Sequence, residues 1–300
     1  MATNFSNGLS SYGIPVLPKF DQLQTGSVWF VDSVTGSNGN SGKTTKKPFA
    51  TLDYAIGMCT ASKGDVIILM PGHAESVIAA AGIVCDVQGI TIIGAGTGTD
   101  RPQITFSTAT TADIDISAAN VTIKNVHFIN DIDALAAPID VNAAHFRMEG
   151  CLFDDATAAK QTVRWILGDA NADYMEIIGC DNHGSDTAGS TAWITLNGAD
   201  HVKIMGCSSH GDFAAANVEV VTAAVTDAII AYNMLENANA VDVNIEGLAS
   251  STGWIAHNLC RNATDAQVTW VNTPGNMQLF QNYGVNNNGE TGILAGTPSV

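Results

Sequence analysis

The chain carries little charge, and most of that charge is of one sign. Only 14% of its 300 residues are charged, and 12 Lys and Arg stand against 29 Asp and Glu, for a net charge of −17 at pH 7. A nucleic-acid-binding protein needs a basic surface, so we expect no nucleic acid as a partner. Acidity also repels anionic membranes, and no apolar run reaches the length of a membrane-spanning helix.

The sequence also lacks the cysteine content of a disulfide framework and the periodicity of long helices. Six cysteines in 300 residues do not make a disulfide framework. The start, MATNFSNGLSSYG, lacks a basic stretch followed by an apolar one, so we expect no secretory signal and reduced thiols. No long segment has an apolar period of 3.6 residues, which argues against helical repeats and alternating βα units.

What the chain has is a repeat built around glycine or asparagine. Hydrophobic residues make up 46% of the chain, enough for a continuous core. Related short segments such as ITIIGAG, MEIIGCDN and WIAHNLCR recur at spacings of 24 to 31 residues. Their anchors are Gly94, Asn125, Gly150, Gly179, Gly206, Asn233, Asn258 and Asn282. Gly and Asn are the residues that best tolerate left-handed backbone at a sharp bend.

Columns through the repeat predict the fold. Residues two before each anchor are apolar and share one face of a strand, so we expect them in a core. They are Ile92, Ile123, Met148, Ile177, Ile204, Ala231, Ala256 and Phe280. A second strand precedes each of these, and the coils would stack in parallel. We therefore predict an all-β, right-handed parallel β-helix, a rod of about 40 Å for eight coils.

Two neighbouring coils raise the question of a metal site. ADYMEIIGCDNHG (172–184) and ADHVKIMGCSSHG (199–211) share seven of thirteen residues, including two Cys-x-x-His pairs. On an extended strand Cys and His three apart face opposite sides, so we favour a structural repeat over zinc. Only His183, His210 and Asp154 are left as a metal cluster. We expect the next residues along this column, Asn237, Asn262 and Asn286, to form an asparagine ladder.

The first part of the chain contains a cap. Leu52, Ala55, Ile56 and Cys59 fall on one face of a short helix, which we expect to cover the end of the solenoid. The preceding GSNGNSGKTT (36–45) is similar to a phosphate-binding loop, but its glycine spacing is wrong, so we interpret it as a solvated loop.

Two further sets of side chains leave alternatives open. Trp165, Trp193 and Trp270 could stack on sugar rings, but a core or interface stack is favoured. Catalytic carboxylates could be drawn from the acidic loops, but one sequence cannot pair them. The candidates are Asp131, Asp133, Asp154, Asp155, Asp181, Asp186 and Asp212.

Residues at the outward-facing positions of successive coils become apolar towards the C-terminus. Such a patch predicts a covering partner, for which another subunit is the simplest candidate. The predicted oligomer interface consists of Ile178, Met205, Ile230, Tyr232, Ile255 and Leu279.

The N-terminal motifs carry a family resemblance. FSNGLSSYGIPVLP (5–18) and the stretch from WFVDSVTGSNGNSG to GHAES (29–76) resemble right-handed β-helix proteins of tailed bacteriophages. The element VDSVTGSNGNSG…PFATLDYAI also resembles the entry strand and cap of pectate-lyase-like β-helices. The resemblance implies a virion protein, often trimeric. No motif matches the calcium-binding aspartates or the basic catalytic residue of pectate lyases, so it implies no active site here.

We therefore expect a non-enzymatic capsid decoration protein on the virion surface, forming a homotrimer without cofactor or metal. Its partners would be itself and the major capsid protein. The alternative is a phage tail protein that binds or cleaves a host glycan. The predicted regions are an extended arm (1–27), an entry strand, loop and capping helix (28–72), the coils (73–287) and a tail (288–300). Predicted capsid-attachment residues are Phe5, Tyr12, Ile14, Pro15, Val16, Leu17 and Pro18.

Overall fold

The structure is a computed structural model. It describes residues 10–11, 14–15, 26–239, 243–262, 270–272, 276–286 and 291–294. Three long sheets, each with one strand per coil, run through this part of the chain. The single α-helix of the described residues is Leu52–Gly57, and a short 3-10 helix spans Gly98–Asp100. No helix among these residues is long and apolar enough to cross a membrane.

Between Val66–Leu69 and Asn282–Val285 the chain passes through the three sheets in a fixed order, so that each complete coil adds one strand to each. Sheet I contains Val28–Val31, Val66–Leu69, Thr91–Gly94, Thr122–Lys124, Arg147–Glu149, Glu176–Ile178, Lys203–Met205, Ala228–Ala231, Thr252–Ala256 and Asn276–Phe280. Sheet II contains Ala74–Val77, Gln103–Phe106, His127–Asn130, Leu152–Asp155, Asp181–His183, Ser208–Gly211, Met234–Asn237, Leu259–Asn262, Asn282–Val285 and Thr291–Leu294. Sheet III contains Ile83–Val84, Ile114–Ile116, Ile139–Val141, Arg164–Gly168, Ser190–Leu196, Phe213–Val220, Ile245–Glu246 and Val271–Asn272.

Neighbouring coils pair in parallel and in register, which confirms the predicted parallel β-helix. Ile123 lies opposite Met148, Met148 opposite Ile177, and Ile177 opposite Ile204. All four are at most 2% exposed. The inward columns of successive coils thus form one continuous core, because each coil buries its inner face on its neighbours.

The capping helix lies where the sequence predicts it. Leu52, Ala55 and Ile56 are buried, and Cys59 packs against the core. The Glu75 carboxylate accepts the backbone N–H of Leu52 at 2.8 Å, which satisfies one of the free donors at the start of the helix. Backbone hydrogen bonds close the loop before the helix as far as Phe49. No helix begins at Lys43.

From Asn125 onwards the bend from sheet I to sheet II is made by one residue per coil with positive φ, whereas the predicted anchor Gly94 ends its strand without positive φ. The predicted anchors Asn125, Gly150, Gly179 and Gly206 have φ between 55° and 64°. In the next three coils the bend residues are instead Tyr232, His257 and Gln281, with φ of 59°, 56° and 48°. Asn233, Asn258 and Asn282 follow the bends and are buried. The sequence alignment is therefore one residue out of register from Asn233 onwards.

This shift corrects the predictions for four residues, Ile230, Ile255, Leu279 and Phe280. Ile230 and Ile255 are 1% and 0% exposed, because Ile230 pairs with the core residue Ile204 rather than with Lys203. They belong to the core and not to an outer interface. Leu279 is partly buried against the core, whereas Ile178 and Met205 face outward and Tyr232 is 61% exposed. At position 280 the predicted core residue Phe280 is 52% exposed.

Two columns of buried asparagines run along the last coils. In the predicted column Asn237 pairs with Asn262 and with Gly211, not with His210, and its amide bonds the backbone of Phe213 and Val243. The second column is a ladder of Asn233, Asn258 and Asn282, whose side-chain amides bond one another at 3.0 Å from coil to coil.

The cysteines and tryptophans lie where the favoured interpretations place them. Cys180 and Cys207 are 1% and 2% exposed and point inward, while His183 and His210 lie on the outer face of sheet II. The two Cys-x-x-His pairs therefore do not converge. Trp165, Trp193 and Trp270 are core residues, and the most exposed of these three, Trp270, is only 8% exposed, whereas Trp254 is 63% exposed.

Both ends of the chain add antiparallel strands. Ser10–Ser11 pairs with Ile14–Pro15, and Thr291–Leu294 pairs with Asn282–Val285. The predicted attachment residues Phe5, Tyr12, Val16, Leu17 and Pro18 lie outside the described residues.

Candidate functional site

A row of charged and ionisable side chains crosses the outer face of sheet II. Because every second residue of a strand points outward, in-register pairing places one side chain per coil in line. The register aligns Asp154, His183, His210, Glu236 and Arg261 in this way. We call these five residues the histidine row.

The first half of the row is a chain of contacts centred on His183. Its Nδ1 lies 3.0 Å from Asp154 Oδ1, and its Nε2 lies 2.9 Å from Asp181 Oδ2. The other oxygen of Asp154 is 2.6 Å from His127 Nε2. Ser208 donates its hydroxyl hydrogen to Asp181. Each carboxylate is thus held by more than one partner, which fixes its position on the sheet.

The second half repeats this arrangement one coil further on. His210 Nε2 lies 2.6 Å from Asp186 Oδ1, and His210 Nδ1 lies 3.4 Å from Glu236 Oε2. The other oxygen of Glu236 is 3.0 Å from the Arg261 guanidinium. Both histidines therefore lie between two carboxylates, and a ring protonated at both nitrogens donates to both.

Two adjacent carboxyl groups at this site have opposite pKa shifts. Burial raises the pKa of Asp155 to about 6, despite hydrogen bonds from the Asn130 amide and the Ser185 backbone N–H. Burial also acts to raise the pKa of Asp154, but the hydrogen bonds and charges of His127 and His183 outweigh it and hold the pKa below its ordinary value. Between these two pKa values Asp155 is protonated while Asp154 is ionised.

Two clefts open beside the row and share His183. One has a volume of about 270 Å³, and its walls include Asp181, His210, Glu236 and Arg261. The other has a volume of about 320 Å³, and its walls include Asp155, Asp186 and the loop residues between them. The row and the clefts together make a continuous surface across several coils, which is polar except at Met234, Leu235 and Leu259 in the smaller cleft.

Connections from sheet II to sheet III form the rim of the second cleft. One of them is the segment 156–163, which follows Asp155. The Gln161 amide joins this segment to the next one by donating to the carbonyls of Ala158 and Thr187.

The structure brings together four of the seven candidate carboxylates: Asp154, Asp155, Asp181 and Asp186. Asp212 lies one coil further and bonds Asn239. Asp131 and Asp133 follow the strand His127–Asn130, one coil earlier. Sequence reasoning missed Glu236 and Arg261 because of the one-residue shift, although their charges at the corrected register were a usable signal. Within the described part of the chain, no group of three or more His, Cys, Asp or Glu could hold a metal ion.

Comparisons with known proteins identify the fold but no family. No protein family and no curated protein matches the chain. Among solved structures, pectate lyase Pel9A is 12% identical over 91% of this chain and 81% of its own, with a TM-score of 0.55. A rhamnogalacturonan lyase is 14% identical over 90% of both chains, with a TM-score of 0.45. A GH136 lacto-N-biosidase from Eubacterium ramulus is 12% identical over 86% of this chain and 67% of its own, with a TM-score of 0.35. The chain shares with Pel9A the parallel β-helix fold.

The prediction of a non-enzymatic protein is wrong on this comparison. Pel9A, which shares the fold, is an enzyme by name. No comparison bears on a virion location, a homotrimer or contact with a capsid protein, and these stay predictions.

Proposed function

We propose that this protein binds a polysaccharide in the two clefts on sheet II and cleaves a glycosidic bond there by hydrolysis. The observation that carries the proposal is that Asp155, whose pKa burial raises to about 6, lines one cleft together with Asp186. A carboxyl group with a raised pKa beside a second carboxylate is typical of acid–base catalysis on sugars. The β-helix fold shared with Pel9A supports the proposal.

The second cleft contains the two groups that hydrolysis needs. Asp155 and Asp186 both line it. Protonated Asp155 donates its proton to the glycosidic oxygen, which leaves with the electrons of the broken C–O bond. Asp186 takes a proton from a water molecule, whose oxygen forms the new bond to the anomeric carbon.

The surrounding residues hold these groups in place. His210 contacts Asp186 at 2.6 Å, and Glu236 lies on the other side of the same ring. His183 links the two clefts, so that a chain lying across it contacts both. Adjacent coils lie about 4.8 Å apart, and an extended polymer can therefore contact several coils at once.

The test is depolymerisation of a panel of neutral, acidic and amino-sugar polysaccharides, followed by the release of reducing ends and by viscosity. We expect Asp155→Asn and Asp186→Asn each to lower the rate by about 100-fold or more, the usual contribution of one acid or base. The rate of the wild type should fall as the pH rises through about 6, because Asp155 then loses its proton.

Asp227→Asn is the matched control, since Asp227 is 72% exposed and contacts His201 at another corner of the coil. It should leave the rate unchanged. Full activity in both Asp155→Asn and Asp186→Asn would place the reaction elsewhere. A wild type that neither binds nor cleaves any polymer of the panel would refute the proposed function.

A further inference from the structure

The walls of the two clefts have a strong negative balance. Among the described residues that line them, the carboxylates Asp181, Asp186 and Glu236 stand against one guanidinium, that of Arg261. That guanidinium is already paired with Glu236 at 3.0 Å. The chain as a whole has a net charge of −17. No cation of the cleft walls is therefore left to receive a negatively charged ligand.

The charges of the clefts are also accessible. The side chains of Asp186 and Asp181 are 71% and 46% exposed, so a ligand in either cleft comes close to them. A polymer of uronic acids carries one carboxylate per sugar, and like charges brought together in a cleft cost binding free energy. Such a polymer, the substrate that the name of Pel9A indicates for that protein, does not fit this surface.

The hydrogen-bonding groups of the cleft walls also favour a ligand that brings donors. Carboxylates are acceptors only. The clefts thus offer acceptors and negative charge to a ligand that brings donors and positive charge.

We propose that the polymer bound by these clefts carries free amino groups, as glucosamine-type polysaccharides do. This inference rests on the proposed function and names its substrate class. An ammonium group brings a positive charge and three hydrogen-bond donors, which the carboxylates of the cleft walls accept. Acetylation of the amine removes the charge and leaves one donor, so the acetylated sugar loses most of the attraction.

The test compares three oligosaccharides of equal length by calorimetry: one of glucosamine, its N-acetylated form, and one of galacturonic acid. We expect the glucosamine oligomer to bind at least about tenfold more tightly than the N-acetylated form, a difference of about 1.4 kcal/mol. The preference should shrink as salt is raised from about 0.05 M to about 0.5 M, because the screening length falls.

Variants connect this preference to the clefts. Asp181→Asn combined with Asp186→Asn should remove most of the preference for the amine, while Asp227→Asn should retain it. Equal or tighter binding of the N-acetylated or galacturonate oligomer would overturn the inference.

The outcomes for the two proposals are distinguishable. Amine-selective binding without cleavage of any polymer would uphold the substrate class and refute hydrolysis. Cleavage of a uronate polymer that depends on Asp155 would uphold hydrolysis and refute the substrate class. If none of the oligomers binds, the substrate class is refuted, and the polysaccharide panel decides on hydrolysis.

Discussion

The coils built on Arg147–Glu149, Glu176–Ile178 and Lys203–Met205 differ in chemistry from the last three, although their backbones have the same course. In these middle coils glycine forms the bend and a cysteine follows it. In the last three coils Tyr, His or Gln forms the bend and an asparagine follows it. The difference shows that one coil shape can be reached with two sets of residues.

The residue after the bend makes the same hydrogen bond in both regions. Cys207 directs its thiol to the carbonyl of Ile177 at 3.5 Å, and Asn258 directs its amide to the equivalent carbonyl of Ile230 at 2.8 Å. A thiol is a weak donor. Asn258 in addition accepts the backbone N–H of Asn233 and pairs with the amide of Asn282. The asparagine coils therefore depend on polar bonds where the cysteine coils depend on packing.

The comparison predicts its largest effect at the ladder. Replacing Asn258 with Ala leaves buried groups of Asn233, Asn282 and Ile230 without their partner, so we expect a loss of about 3 kcal/mol in the free energy of unfolding. Cys207→Ala removes a small apolar group and should cost only about 1 kcal/mol. Urea denaturation of both variants checks the contrast. Equal losses would mean that the amide bonds add nothing beyond packing.

A smaller effect is expected from the two adjacent aspartates of the middle coils. The pKa of Asp155 is raised from 3.8 to about 6 in the folded state, so wild-type stability falls as the pH rises between these values. Asp155→Asn should therefore be more stable than the wild type above pH 6 by about 2 kcal/mol and no more stable at pH 4.

Asp154 should behave in the opposite way, because its folded pKa is lowered. Its contribution to stability is present above its unfolded pKa and is lost as the pH falls through the folded value. Asp154→Asn should thus destabilise the protein at neutral pH. Unfolding curves at pH 4 and pH 7.5 measure both variants, and shifts of the same sign at pH 7.5 would contradict the assignment.

The smallest effect concerns the bends. Gly206 has φ of 64°, and a Cβ there would meet open space. Gly206→Ala should therefore lower the free energy of unfolding by only about 1 kcal/mol, because alanine is less favourable than glycine in left-handed backbone. Tyr232→Gly relieves the same strain but loses the stacked contact with His257, whose ring centroid is 4.7 Å away. We expect its net change to be near zero. Thermal unfolding compares the two, and a large loss for Tyr232→Gly would show that ring stacking holds the last coils.

The sequence predicts the coil, the core column and the cap because each depends on local periodicity. Ile123, Met148 and Ile177 identify the inward face without knowledge of any distant contact. The register after Asn233 could not be read in the same way, since asparagine suits both the left-handed bend and the buried ladder. The site was only partly visible for a related reason. The raised pKa of Asp155 depends on loops of a neighbouring coil, which periodicity does not describe.

The matching segments 172–184 and 199–211 lie on adjacent coils and give each its own histidine on the same face. A tandem duplication of one such coil would insert another histidine and its carboxylate into the row without disturbing the coils on either side, because each coil contacts only its neighbours. The length of polymer that the surface spans would then grow by one step of about 4.8 Å per duplication. The number of coils thus determines the length of the binding surface, and this number can change with the length of the gene without any change of fold.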